Sequence, residues 1–264
     1  MQRVAIVTGG ATGIGRALSE GLAADGYAVV VGYHGNATGA ADTARSIEAA
    51  GGTVKLVQGD QADLATAASI IETAVASFGR VDVLCAHAGI TVHERFLDAR
   101  PETFDQVVAT NLRGTFFTAQ AAARRLVEQG DGGRIVLTSS VNARLAIDGF
   151  AAYAMSKAAI EALARNLAIE LSPRGITVNA VAPGAIVNDR NLAVDPDYAE
   201  RWAIVDPVGR VGTGADVLAA VRYLISPDAG FVTGQTLVVD GGWTVAARSP
   251  DDVVRLAAEM GPDG

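Results

Sequence analysis

The chain has 264 residues, half of them hydrophobic, with a net charge of -8, one cysteine and three histidines. That length and apolarity suit a single α/β domain with a large core; the negative charge, with no basic run longer than Arg124-Arg125, argues against binding nucleic acid or an anionic membrane. A lone Cys85 excludes an internal disulfide, the scattered histidines show no metal-ligand spacing, and with neither an apolar signal segment nor an apolar run of about 18 residues the chain reads as cytoplasmic and metal-free.

Residues 4–8 form a short apolar run of the kind buried on both faces of a sheet, ending in Gly9-Gly-Ala-Thr12-Gly13-Ile14-Gly15 before a helical pattern through Ala24. Glycines at a strand-to-helix turn let main chain approach a pyrophosphate, and free N–H groups at the helix start supply donors. The next strand, 28–31, runs into Gly32-Tyr33-His34-Gly35-Asn36, where the adenosine ribose of a dinucleotide belongs. No carboxylate stands there to bond a 2'-hydroxyl and repel a 2'-phosphate. His34 and Asn36, with Arg16 and Arg45 as counter-charges, point to NADP(H) over NAD(H), which stays compatible; His34 reads equally as an exposed turn histidine.

Strands are expected over 54–57 and 81–85, with a helix over 64–77 between them. Asp60 and His87-Ala88-Gly89 follow these strands at the edge where open α/β sheets place ligands. Asp60 suits the adenine amino group or a turn, and Asp63 suits the helix cap. Cys85 reads as a buried small hydrophobe. A long helix over 101–129 starts at Pro101 and carries Phe104, Val107, Val108 and Leu112 at helical spacing. Asn111 and Gly114 inside it call for a reason: a kink that frees a carbonyl and lets Asn111 bind water, or a contact that needs a small residue at 114.

The strand over 134–138 delivers Ser139-Ser140 to the same edge, and thirteen residues past Ser140 comes Tyr153, opening an alanine-rich helix over 151–171. Tyr153 and Lys157, four apart, share one helix face. At roughly 6 Å and an effective dielectric near 20, the ammonium is worth about 3 kcal/mol, or about two pKa units off the phenol, which makes it a proton donor and acceptor near neutral pH. Ser140 and Tyr153 hydroxyls converging on one substrate oxygen suit reversible carbonyl reduction. A sixth strand over 176–181 breaks at Ala182-Pro183-Gly184, and the looser segment 188–210 is a candidate substrate lid. A helix over 215–225 and a last strand over 236–239 precede Asp240-Gly-Gly242. Ser249-Pro250-Asp251-Asp252 starts a final short helix closed by Gly261. The resulting division is a dinucleotide-binding domain over 1–245 with a helical extension over 246–264.

These motifs, in this order, resemble the short-chain dehydrogenase/reductase family along nearly the entire chain. Thr8 to Gly15 matches its TGxxxGxG loop, Asn111 its central-helix asparagine, Ser140, Tyr153 and Lys157 its catalytic site, Pro183-Gly184 its PG turn, and Thr233-Gly-Gln235 with Asp240-Gly-Gly242 its C-terminal signature. The resemblance implies a Rossmann fold with a seven-stranded parallel sheet flanked by helices, and usually a homotetramer whose Asn111 and Tyr153 helices pack on symmetry mates. It implies that Tyr153 donates the proton, Ser140 holds the carbonyl oxygen, Lys157 binds the nicotinamide ribose and acidifies Tyr153, and Asn111 anchors a water. Cofactor contacts then fall to Gly9, Thr12, Gly13, Ile14, Gly15, Tyr33, His34, Asn36, Asp60, Gln61, His87, Ala88, Gly89, Asn111, Tyr153, Lys157, Pro183, Gly184, Ile186 and Asn188, and substrate contacts to Ser140, Asn142, Phe150 and Tyr153.

Two departures stand out. Ala86-His87-Ala88-Gly89 replaces the family's NNAG, removing sheet-bracing asparagine bonds that His87 replaces or gives up to reach the site; Asn188 replaces a threonine, its amide still suited to the nicotinamide carboxamide. The function implied is hydride transfer between NAD(P)(H) and a ketone or secondary alcohol of a small molecule. Overall pattern is nearest the 3-oxoacyl carrier-protein reductases, but Asp131 stands where their basic patch has a cation, Arg174 is kept, and a charge of -8 repels an acidic partner. A non-catalytic dinucleotide binder needs only the glycine loop.

Overall fold

The computed structural model describes residues 2–246, so the helix expected after Ser249 lies outside the described residues. Strands β1 (Val4–Thr8), β2 (Ala28–Tyr33), β3 (Thr53–Gln58), β4 (Val83–Ala86), β5 (Gly133–Thr138), β6 (Ile176–Pro183) and β7 (Thr236–Val239) form one sheet, ordered β3-β2-β1-β4-β5-β6-β7. Every ladder is parallel. The apolar runs read from the sequence are buried along β1, β4 and β6 because helices cover both faces, whereas the edge strand β3 is largely open.

On one face α1 (Gly13–Ala24), α2 (Ala37–Ala49) and α9 (Gly214–Ile225) bring Leu18, Leu22, Ile47, Val217 and Val221 onto Val7, Val29 and Val181. On the other, α3 (Leu64–Phe78), α5 (Thr115–Gln129) and α6 (Ala151–Leu171) bring Ile70, Ala119, Leu126 and Ile160 onto Ile6, Leu84 and Leu137. Each fully buried Leu or Ile contributes about 1.5–3 kcal/mol relative to exposure. Asp63 caps α3 through the Ala65 N–H, as its position suggested.

The long helix expected from Pro101 is three pieces: α4 (Pro101–Val107), a π-helical segment (Val108–Gly114) and α5. Both reasons offered for Asn111 and Gly114 hold in part. The ladder widens at Asn111, and a Cβ on Gly114 would lie 2.2 Å from the Gln61 carbonyl oxygen. Between β6 and α9, α7 (Asp189–Val194) and α8 (Tyr198–Ala203) form where the looser segment was read. Among the described residues, no helix is long and apolar enough to cross a membrane.

Candidate active site

Strand order reverses between β1 and β4, and a cleft of about 1060 Å³ opens at the carboxyl ends of β1, β4, β5 and β6. One wall is the glycine loop. A Cβ on Gly15 would lie 2.1 Å from the Gly9 oxygen, and one on Gly9, whose φ is +69°, 2.9 Å from the Ala88 Cα, so the loop closes this tightly only with glycine. Thr12, the N-cap of α1, makes no side-chain capping bond, and the first turn holds no acidic residue. Its leading N–H groups therefore have no side-chain cap, and Thr12, Gly13 and Ile14 line the cleft, a helix start suited to a pyrophosphate. The residues present fit a dinucleotide.

At the other end, α6 carries Tyr153 and the buried Lys157 into the cleft, with the Lys157 Nζ 5.6 Å from the Tyr153 ring centroid and donating to the Thr138 carbonyl at 2.8 Å. Burial, which penalises either charge, pushes Lys157 down to about 8. It also holds the Tyr153 phenol above its usual value, the Ser140 and Thr91 hydroxyls acting in the opposite sense. The expected acidification of Tyr153 by Lys157 is thus corrected: burial raises the phenol, only the Ser140 and Thr91 hydroxyls act to lower it, and the Lys157 ammonium donates to the Thr138 carbonyl instead.

The two serines separate by partner. Ser139 Oγ donates to the Lys157 carbonyl at 3.1 Å and contacts Glu161 at 3.3 Å, tied under α6. Ser140 Oγ, 3.4 Å from Asn142 Oδ1 and accepting from the Asn142 N–H at 3.2 Å, stays beside Tyr153. Asn111 is 1% exposed, its Oδ1 accepting from the Ile90 N–H and its amide donating to the Ile90 carbonyl and Ser156 Oγ. Its side chain braces the turn after β4, with both amide hydrogens engaged.

A family model described as enoyl-(acyl carrier protein) reductase matches residues 9–244. The chain belongs to the short-chain dehydrogenase/reductase family. It is similar to the L-rhamnose 1-dehydrogenase (NAD(P)(+)) of Azotobacter vinelandii, 41% identical over 92% of this chain and 96% of that one. To the 3-oxoacyl-[acyl-carrier-protein] reductase FabG of Staphylococcus aureus it is 38% identical, covering 92% and 98%. Among solved structures, acetoin dehydrogenase from Enterobacter cloacae superposes with a TM-score of 0.86 at 37% identity, covering 94% and 98%. The chain is accordingly an oxidoreductase of CH–OH and C=O groups.

In this dehydrogenase/reductase the cleft gathers Thr12, Gly13, Ile14, Asn36, His87, Gly89, Ser140, Asn142, Phe150, Tyr153, Lys157, Pro183, Gly184, Ile186 and Asn188 from the expected set. Gly9, Gly15 and Ala88 shape the loop behind that surface. Others are engaged elsewhere. Gln61 Nε2 donates to Thr118 Oγ1 on α5 at 2.8 Å; Asp60 is exposed and accepts from the Ala62 N–H, an Asx turn. Tyr33 ends β2 away from the cleft lining; His34 is exposed, its carbonyl accepting from Gln58. Asn36 Oδ1 caps α2 through the Gly39 N–H. Arg16 pairs with Glu20 one turn along α1, and Arg45 with Asp42 on α2, so each counter-charge proposed for a 2'-phosphate has a carboxylate of its own. Asn188 caps α7, its Oδ1 accepting from Asn191 N–H at 3.0 Å, and donates one of its two amide hydrogens to the Ile186 carbonyl at 3.2 Å.

Sequence reasoning missed Thr91, His93 and Trp243 on the cleft wall, and it named the 188–210 lid without singling out Tyr198 and Trp202, which that segment contributes. His93 meets the Phe150 ring edge-on at 5.2 Å, while Tyr198–Trp202 and Trp202–Trp243 ring centroids lie 5.6 and 5.1 Å apart, joining the lid to the turn after β7. Only the aromatic content of 198–202 offered a signal.

Proposed function

We propose that this oxidoreductase moves a hydride between NAD(P)(H) and a ketone or secondary alcohol of a small hydroxylated molecule, with Tyr153 as general acid and base. The observation that carries the reading is the meeting of Ser140, Tyr153 and Lys157 with an uncapped, glycine-cradled helix start on one cleft. When bound, the nicotinamide supplies or accepts the hydride. Ser140 holds the substrate oxygen, Tyr153 gives its proton to that oxygen on reduction and takes it back on oxidation, and Lys157 holds the nicotinamide ribose. The carbonyl of Asn111 is the acceptor for the water behind Lys157.

Tyr153→Phe tests this. On a panel of cyclic sugars, small hydroxyketones and keto-acyl thioesters, turnover falls at least about 100-fold while NADH and NADPH still bind in fluorescence titrations. Equal turnover by the two proteins overturns the assignment.

Both dinucleotides fit this reading. The 33–36 turn holds no carboxylate to repel a 2'-phosphate, and the paired Arg16 and Arg45 give it no strong attraction; NADP(H) is accommodated rather than required. The runner-up is reduction of a 3-oxoacyl group on acyl carrier protein, supported by the FabG similarity. Against it stand the charge of -8 and the ion pairs Arg95–Asp148, Arg100–Glu94 and Arg80–Asp131, which neutralise cations that an acidic partner needs. A cytoplasmic homotetramer completes the proposal. Supporting the assembly, exposed Phe96, Phe104 and Met155 share one apolar hollow by α4 and α6, and Leu97, also exposed, follows Phe96 in the chain.

A further inference from the structure

The β4–β5 ladder stops at Ala86↔Leu137. One step on, where His87 and Thr138 would face each other, the His87 N–H is diverted to Thr8 Oγ1 at 3.0 Å, while β5 stays paired to β6 at Thr138↔Val181. The two main chains have parted, and a side-chain bond spans the gap: His87 Nδ1 lies 3.3 Å from Thr138 Oγ1. It is the carbonyl of that same Thr138 that receives the Lys157 ammonium. On its far side the imidazole rests against the glycine loop, its Cδ2 2.9 Å from where a Cβ on Gly15 would stand.

We propose that His87 is a positioning residue of the reaction: it holds Thr138, and through the Thr138 carbonyl the Lys157 ammonium, in register with the glycine loop that cradles the cofactor. The inference rests on the dehydrogenase reading above. Its chemistry suits the place. Burial, with Lys157 adding in the same sense, pushes the imidazole down to about 4, so a neutral ring and not a second cation stands by Lys157. Either tautomer makes the bond, Nδ1–H donating to the hydroxyl or the hydroxyl donating to Nδ1.

Three variants test it: His87→Phe keeps a ring against Gly15 without the bond, His87→Ala removes both, and His87→Asn keeps a short hydrogen-bonding amide. Thermal melts select the variants that fold. For those, the Phe and Ala proteins lose about 10- to 100-fold in kcat and bind NADH several-fold more weakly, while Asn restores both to within about threefold of the native chain. If Phe or Ala matches the native protein in kcat and NADH affinity, or Asn is no better than Phe, the proposal is overturned alone. If the native protein binds no NADH or NADPH, the proposed function falls and this inference with it.

Discussion

Burial acts against both charges of the Tyr153–Lys157 pair, and this has a thermodynamic signature. Lys157 is held down to about 8 from 10.5, so between those pH values the unfolded chain binds more protons than the folded one. Stability therefore rises with pH across that window, and below about 8 the charged lysine is a cost that the folded state bears. Lys157→Met is expected to raise Tm at pH 7, and its advantage over the native protein shrinks as pH approaches 10; melts at pH 7 to 10 check this, and a constant gap contradicts it. His87 gives a second reading at this scale. Its Cε1 resonance, assigned by its loss in His87→Asn, stays at the neutral-imidazole position down to pH 5, because the ring is pushed to about 4.

At the scale of elements, the glycine loop and α1 act as one cradle. Gly15→Ala forces a methyl into the Gly9 carbonyl oxygen, which is backbone and cannot swing aside, so overpacking costs about 1–3 kcal/mol and NADH binding weakens at least tenfold. Gly35→Ala, where an added Cβ meets nothing, leaves stability unchanged and serves as the packing control. Helix α9 begins with a capping box between Thr213 and Asp216, and Arg210 holds the Asp216 carboxyl well below the usual range. Asp216→Ala loses about 1 kcal/mol in urea denaturation. Because that carboxyl's pKa is depressed on folding, the loss is full above the unfolded value near 4 and disappears as the pH falls below it.

Cofactor choice and assembly are properties of the whole molecule. With no acid at the 33–36 turn and both nearby arginines paired, kcat/KM for NAD+ and NADP+ is expected to agree within about tenfold; a hundredfold preference for either contradicts this. Analytical ultracentrifugation is expected to find a tetramer, and charged substitutions at Phe96 and Leu97, 80% and 94% exposed, to shift it to smaller species.

What the sequence determined was whatever depends on neighbours in the chain. Buried strands announce themselves as apolar runs, so the sheet was legible; the glycine loop, the Ser140, Tyr153 and Lys157 spacing and the Asp63 cap are equally local. Helix α2 was not read, because its buried stripe is only Ala40, Thr43 and Ile47. What only the tertiary structure decided depends on residues far apart in sequence. Gln61 turns to Thr118, the Asn111 side chain bonds Ile90 main chain and the Ser156 hydroxyl, Asn188 bonds the Asn191 N–H and the Ile186 carbonyl, and Trp243 closes on the lid. The sign of the Tyr153 shift belongs here too: helical spacing sets the distance to Lys157, but the solvent excluded around the phenol is set by every element that packs over it.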